Sequence, residues 1–535
     1  MNRFAELLDR LIFTPSRNAK VQLLKDYFAD VPDPERGWAV AAITRDLEVK
    51  TLKPAAIKAL VTSRVDPVLY DLSRDYTGDS AETAALIWPQ KRGANYVPSL
   101  SEVIEELNET TKAEAPQLLE RWLDALDPSG RWALIKLISG GLRIGVASRL
   151  VKVALAEYGG VEPQEIEELW HGLTTPYEEL FAWLEGRAEK PVNAMRAPFR
   201  PVMLSHPVEE LDKPKIDLSR MRKEWKWDGI RVQLVRDGDE ARLYSRTGDD
   251  ISGAFPDVIE GFPVDAAIDG ELLIYDPLTT DRFKVRPFND LQQRLNRKTV
   301  SAKMLKTHPA FVRAYDLLWA EGEDLRERTL DERRVRLEEL LSEGRGRVDV
   351  SERIEASGWE ELERMRSDPP IAAIEGVMLK LNDAPYLPGR PKGYWWKWKK
   401  EPYLVDAVLM YAQRGSGKRS SFYSDYTFGC WREGELIPVG KAYHGYTDQE
   451  LKKIDKFVRD NTIDRFGPVR SVTANKEKGL VLEVAFEGLQ RSPRHKSGVA
   501  MRFPRINRLR WDKPPAEADQ LQVLENMLDA QGAAP

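Results

Sequence analysis

The sequence predicts a multidomain α+β chain, with a helical N-terminal region, a mixed α/β middle region and a small C-terminal β-barrel. Three observations carry this. The 535 residues are too many for one hydrophobic core, so two to four domains are expected. Apolar residues recur at helical spacing through residues 1–202, with Pro, Gly and Asp at the breaks. From residue 203 the pattern changes to strand-like alternation, and after Glu401-Pro402 it becomes short strands and turns.

In chain order, Phe4, Leu7, Leu8 and Leu11 mark an amphipathic helix with Asp9 and Arg10 between them, which is a domain helix rather than a signal peptide. WALIKLISGGLRIGVASRLVKVALAEYG reads as two helices joined through Gly140-Gly141. The Pro- and Arg-rich stretch 187–202 reads as a linker. IRVQLVRDGDEARLYSR is a hairpin turning at Asp237-Gly238-Asp239. AAIDGELLIYD, AFVRAYDLLW and EGVMLKL are strands. FNDLQQRLNRK and TLDERRVRLEELLSE are helices, the second opened by a capping box from Thr329 to Glu332. LVDAVLMYAQ, FGCWREG and LVLEVAFEGLQ supply the barrel strands, and LQVLENMLDAQGAAP a short helix with a frayed end. The expected boundaries are 1–202, 203–401, 402–520 and a tail, 521–535.

No apolar run is long enough to span a membrane. The single Cys430 excludes an internal disulfide and a Cys-rich zinc site, and fits a reducing, cytoplasmic compartment. The net charge of −5 argues against nucleic acid, but its distribution argues for an anion-binding groove. Between Arg491 and Lys513 lie eight cations opposed only by Asp512, and residues 390–400 carry five more among four aromatics.

The chemistry concentrates around Glu224-Trp225-Lys226-Trp227-Asp228-Gly229-Ile230-Arg231. In a strand Glu224, Lys226 and Asp228 share one face, and Trp225 and Trp227 the other. A lysine so placed is an ion-pair partner or a nucleophile. As a nucleophile it must lose a proton, and with a reference pKa near 10.4 only about one lysine in a few thousand is neutral at pH 7. In Trp395-Trp396-Lys397-Trp398-Lys399, Lys397 and Lys399 share a face, which suits a phosphate or a lysine-guarded edge. Glu271 and Glu375 are acids at the edges of apolar strands, and burying either unpaired would cost several kcal/mol. A hard cation such as Mg²⁺, or an ion pair, would satisfy them. Arg246 closes the hairpin and reads as a ribose or phosphate ligand or a turn arginine. Tyr315 offers an aromatic face to a base, or fills a core.

Lys226-x-Asp228-Gly229-x-Arg231, Ser245-Arg246, Asp269-Gly270-Glu271, Tyr315-Asp316, Glu375-Gly376-Val377-Met378-Leu379-Lys380, Lys397-x-Lys399 and Arg508-x-Arg510-x-Asp512-Lys513 resemble, in order and spacing, the motifs of covalent nucleotidyltransferases. Arg502-Phe503-Pro504-Arg505 resembles the form found in ATP-dependent DNA ligases, and LISGGLRIGVASRLV, with Arg143 and Arg149, their DNA-binding domain. The resemblance implies a helical DNA-binding domain, a nucleotidyltransferase (adenylation) domain and a C-terminal OB-fold. It also implies an enzyme that uses ATP and Mg²⁺ (or Mn²⁺) to seal nicked duplex DNA, acting as a monomer in repair or replication.

By the same resemblance Lys226 takes AMP from ATP as a phosphoramidate. The AMP passes to the 5′-phosphate of the nick, and the 3′-hydroxyl displaces it. Glu224 meets the adenine amino group and Tyr315 stacks on the base. Arg231, Arg246 and Glu271 complete the nucleotide site, with Glu271 and Glu375 at the metal. Lys397 and Lys399 neutralise the α-phosphate, and Arg510, Asp512 and Lys513 orient the leaving pyrophosphate when the barrel closes for that step. An mRNA-capping guanylyltransferase or an RNA ligase is the alternative, and a non-catalytic DNA-binding scaffold would need neither Lys226 nor Glu375.

Overall fold

Phe4, Leu7, Leu8 and Leu11 bury one stripe of the helix Asn2–Phe13, each 4% exposed or less. The computed structural model describes all residues except 48–52, 78, 90–95, 112, 194, 276–283, 296, 343–345, 416–421 and 533–535. Two compact units emerge. One comprises Met1–Ile166, Leu173–Pro191 and Pro402–Asp529; the other is built on Glu167–Gly172 and Val192–Glu401.

In the helical part, Asp127 caps the helix Pro128–Ile138 by accepting from Gly130 N at 2.7 Å, with proline pre-set in its first turn. The next helix is Ser148–Gly159. Between them Gly140, Arg143 and Gly145 all take positive φ, and Lys20 Nζ donates to the Gly145 carbonyl at 2.9 Å.

The C-terminal part is β-rich. Its axis is the twelve-residue strand Tyr403–Arg414, which pairs with Tyr423–Arg432, Val469–Val472 and Val481–Phe486, the last of these in turn with Arg505–Arg510. Alternate residues Val405, Ala407 and Leu409 enter its core. The helix Asp448–Asp460, opened by a Thr447/Glu450 capping box, covers that core with Leu451, Ile454 and Val458. The expected tail is instead part of this domain through Asp529. Helix Leu521–Gly532 inserts Leu521 and Leu524 into the same core, because its apolar positions recur at helical spacing. The expected frayed end falls partly on 533–535, outside the described residues.

The middle unit holds two sheets. A four-stranded sheet runs His206–Pro207, Trp395–Lys399, Ile374–Leu381, Met221–Trp227. A six-stranded sheet contains Glu240–Ser245, Ile230–Asp237, Ala266–Ile274 and Ala310–Ala320 in that order, with two short strands beyond. The hairpin turns at Gly238 (φ +60°), and Thr329 and Glu332 form the expected capping box on Leu330–Leu340.

Two expectations fail here. The linker 187–202 is not free through its second half: Ala197 and Phe199 are buried beside Tyr244, whose hydroxyl donates to the Ala197 carbonyl. Gln233 exchanges hydrogen bonds with both backbone groups of Arg200. Among the described residues of FNDLQQRLNRK, only Phe288–Gln292 are helical. Arg294 is fully buried, and its guanidinium binds the carbonyls of Ala254 and His308 and the Asp257 carboxylate, which outweighs helix propensity.

Candidate active site

The site grows out of the junction between the two sheets of the middle unit. Asp228-Gly229 carries the chain from the Lys226 strand into the other sheet. A Cβ on Gly229 would lie 2.4 Å from the Leu272 carbonyl oxygen and 2.8 Å from Glu271 Cγ, so only glycine lets this crossing pass so close to Glu271. Gly376 answers a second close approach. Its φ is +149°, a Cβ would stand 2.2 Å from the Trp398 carbonyl oxygen, and the sheet register sets it between Lys226 and Lys399.

Lys226 Nζ donates to Glu375 Oε1, and Lys399 Nζ lies 2.9 Å from Glu375 Oε2, so one carboxylate bridges two lysines. Burial opposes ionisation of Glu375, yet the charges of Lys226 and Lys399 hold it below the usual carboxylate range. The flanking tryptophans turn away, as alternation predicts. Trp225, Trp227 and Trp398 share an apolar cluster, and cations cover two of the rings: Arg313 lies 4.2 Å from the Trp227 centroid, while Lys213 and Arg366 each lie 4.6 Å from that of Trp398.

Glu271 has the opposite balance to Glu375. Burial pushes its carboxyl up to about 8; Lys226 works against the rise, and the negative charge of Glu375 adds to it. The two carboxylates therefore titrate far apart within one charged cleft. Among the described residues no group of three or more His, Cys, Asp or Glu side chains forms a metal cage. The pair nonetheless suits Mg²⁺, which characteristically takes one or two carboxylates and completes its shell with water and substrate phosphate. Glu271 carries a stability signature. Its folded pKa lies above the unfolded value near 4.5, so its contribution is complete below 4.5 and is lost as pH rises through 8. Thermal unfolding of ligand-free protein should lose stability across that window, and Glu271→Gln should flatten the slope. Identical slopes in both proteins would remove Glu271 as the group responsible.

A cluster of cations faces this centre. Burial, and then the charges of Lys226, Arg390, Lys399 and Arg246, lower the pKa of Lys397. Burial followed by Arg231 and Arg390 lowers that of Arg246. Positive charge thus accumulates on Arg246, Arg390, Lys397 and Lys399, as a phosphate site requires. Arg390 was visible in the sequence only as part of a basic run.

Other expected residues stand elsewhere. Arg231 is committed to the scaffold: Nε and Nη2 donate to Asp269 at 2.9 and 2.5 Å, and Nη1 to the Met203 carbonyl at 2.6 Å. Tyr386 Oη donates to the same Asp269 at 2.7 Å. Glu224 is 1% exposed and enclosed by Lys380 at 2.7 Å and Arg222 at 3.0 Å. Its burial is overcome by Lys380, Arg334 and Arg222, which hold the carboxyl low. Lys380 Nζ sits 4.0 Å from the Tyr315 ring centroid, so Glu224, Lys380 and Tyr315 form one buried train. The sequence pattern carried Lys380 within the Glu375 motif, but nothing in it announced this pairing. Arg510, Asp512 and Lys513 belong to the other unit, where Arg510 binds Asp512 at 2.9 Å.

Comparison with known proteins gives a consistent result. Residues 202–399 match the family model described as "ATP dependent DNA ligase domain", residues 419–513 the "ATP dependent DNA ligase C terminal region" and residues 1–156 the "DNA ligase N terminus". The chain is 34% identical over 423 residues to a "Probable DNA ligase" of Koribacter versatilis, covering 74% of this chain and 72% of that protein. It is 30% identical over 551 residues to "DNA ligase 1" of Korarchaeum cryptofilum, covering 99% and 98%. A solved structure described as "Pmar-Lig_PreS3" shares the fold at a TM-score of 0.58 and 15% identity, over 95% of this chain and 99% of that one.

Proposed function

The chain belongs to the ATP-dependent DNA ligases, and from that premise we propose that Lys226 is its adenylated nucleophile and that the cations around Glu375 steer the phosphoryl transfers. The single observation that carries the assignment is the bridge in which Glu375 holds Lys226 and Lys399 together. In the first step Nζ of Lys226, having given up a proton, forms a bond to the α-phosphorus of ATP. The bond to the bridging oxygen breaks, and its electron pair leaves with pyrophosphate. In the second step an oxygen of the nick's 5′-phosphate attacks the same phosphorus, and the N–P bond breaks to return the lysine. In the third step the 3′-hydroxyl attacks the 5′-phosphorus, loses its proton and expels AMP.

Lys397, Lys399 and Arg246 meet the α-phosphate as charge develops on it. Glu271 and Glu375 would hold Mg²⁺ or Mn²⁺, which when bound supplies positive charge to the phosphate oxygens. For Lys226 Nζ to attack, its ion pair with Glu375 must open and its proton must leave. Tyr315 lies along the base, with Glu224 and Lys380 fixing the wall behind it. Arg231 acts through Asp269 and Tyr386, aligning the strand that carries it. Arg510, Asp512 and Lys513 act on the leaving pyrophosphate.

No helix among the described residues is long and apolar enough to cross a membrane. We place the enzyme in the cytoplasm as a monomer on nicked duplex DNA, in repair or replication. Binding should follow backbone charge rather than base sequence, with affinity falling steeply as salt rises. Incubation with labelled ATP or GTP tests the reading against a guanylyltransferase: ATP alone should label the protein, and the label should leave on addition of nicked DNA as sealed product appears. Labelling by GTP in preference to ATP would overturn it.

A further inference from the structure

The barrel strand Tyr403–Arg414 contains a carboxylate that the three-step chemistry leaves unused. Asp406 faces the Val481–Phe486 strand in register with Glu483, and Glu483 is in register with Arg508 on the strand beyond. Asp406 Oδ2 accepts from Arg510 Nη1 at 3.0 Å and from Lys513 Nζ at 2.7 Å, while Oδ1 is buried and accepts from none of the described residues. Glu483 Oε2 lies 3.1 Å from Arg508 and 3.8 Å from Arg510. The Asp406 side chain is only 11% exposed, against 68% for Asp512.

The backbone of Asp406 is fixed independently of this cluster. Its N–H donates to Asp519 Oδ2 at 2.8 Å, and the Asp519 N–H returns a bond to the Asp406 carbonyl at 2.8 Å. A carboxylate anchored in this way holds two long side chains that would otherwise sample many rotamers. Ordering long side chains such as these costs rotamer freedom. That ordering is complete before any nucleotide arrives, which is preorganisation in the sense that matters for transition-state charge.

We propose that Asp406 is a positioning residue for enzyme adenylation, holding Arg510 and Lys513 as a pair for the polyanionic pyrophosphate leaving group. The inference rests on the reading of Arg510, Asp512 and Lys513 as the pyrophosphate-orienting group, and it confines Asp406 to the first chemical step and its reversal. The attack of the nick's 5′-phosphate and the final sealing involve no pyrophosphate, so they do not need the pair.

Asp406→Asn keeps the shape and the backbone bonds and removes the charge that holds both cations. Enzyme–AMP formation should fall about a hundredfold, the scale set by misplacing a reacting group by an ångström. Release of ATP from enzyme–AMP by added pyrophosphate should fall equally, because both directions share a transition state. Sealing of a nick supplied already adenylated should proceed at the unmodified rate, which also shows that the variant is folded. Asp406→Glu should recover part of the loss. Should the asparagine variant fail to fold, the same three assays on Asp406→Ser decide the matter. Equal losses in all three assays, or an adenylation rate unchanged by the asparagine variant, would overturn the proposal. Arg510→Ala with Lys513→Ala separates the two levels. Undiminished adenylation in that double variant defeats the pyrophosphate reading itself. A loss there with none in Asp406→Asn defeats only the role of Asp406.

Discussion

Replacing Lys226 with alanine should abolish the enzyme–AMP adduct, a loss on the order of 10⁶ if its removal matches that of other catalytic nucleophiles. Its nitrogen is the amine held beside Glu375 and Lys399, with the charges of Lys397, Arg246 and Arg390 gathered around the same centre. No other lysine bonded to that carboxylate can substitute, because Lys399 reaches it from the far side of Gly376. Arginine at 226 should fail as well, since a guanidinium is not deprotonated in proteins and cannot attack phosphorus. Both variants should still retain nicked DNA in a gel-shift assay and should close a nick that already carries AMP. Adduct formation by Lys226→Ala, read as covalent label after denaturation, would refute the assignment.

The second large effect is expected at Glu375. Glu375→Gln preserves volume but removes the charge that holds Lys226 and Lys399 and that would bind the metal. Adduct formation should fall by about 10²–10³, as when one preorganised electrostatic group is removed from an active site. The magnesium concentration needed for half-maximal rate should rise along with that loss, which a purely structural defect would not produce. The readout is the single-turnover rate of labelled adduct formation across a magnesium titration. An unchanged rate and an unchanged magnesium midpoint would show that Glu375 serves only to pair lysines.

Much of the site was legible because strands expose their side chains with period two. The Trp225/Trp227 alternation, the Lys397/Lys399 pair, the Asp237–Asp239 turn and the Thr329 capping box are all local patterns, and the structure repeats each. What stayed hidden is set by distant partners. Glu224 shares a strand face with Lys226, and only the neighbouring strand determines that it is enclosed by Lys380 instead. Phe199 sits in a Pro- and Arg-rich stretch that looks like a linker until Tyr244 and Gln233 supply a surface for it to pack on. Arg294 has the composition of an exposed helical residue, and its burial follows from three partners supplied by other segments. Asp406 gave the same signal as Glu271 and Glu375, an acid in an apolar strand, but its partners lie more than a hundred residues downstream.

The row Lys226–Gly376–Lys399 has a consequence for how far this site can be altered. Its spacing is metric: neighbouring strands repeat at about 4.8 Å, so the two lysine backbones stand about 9–10 Å apart with glycine midway. The separation is fixed by hydrogen-bonded backbone rather than by side-chain choice. The sheet thus acts as a gauge of one width, set by backbone pairing and not by the chemistry of either side chain. Substitutions at either lysine can change what projects from that backbone, but they leave the gauge itself at the same width.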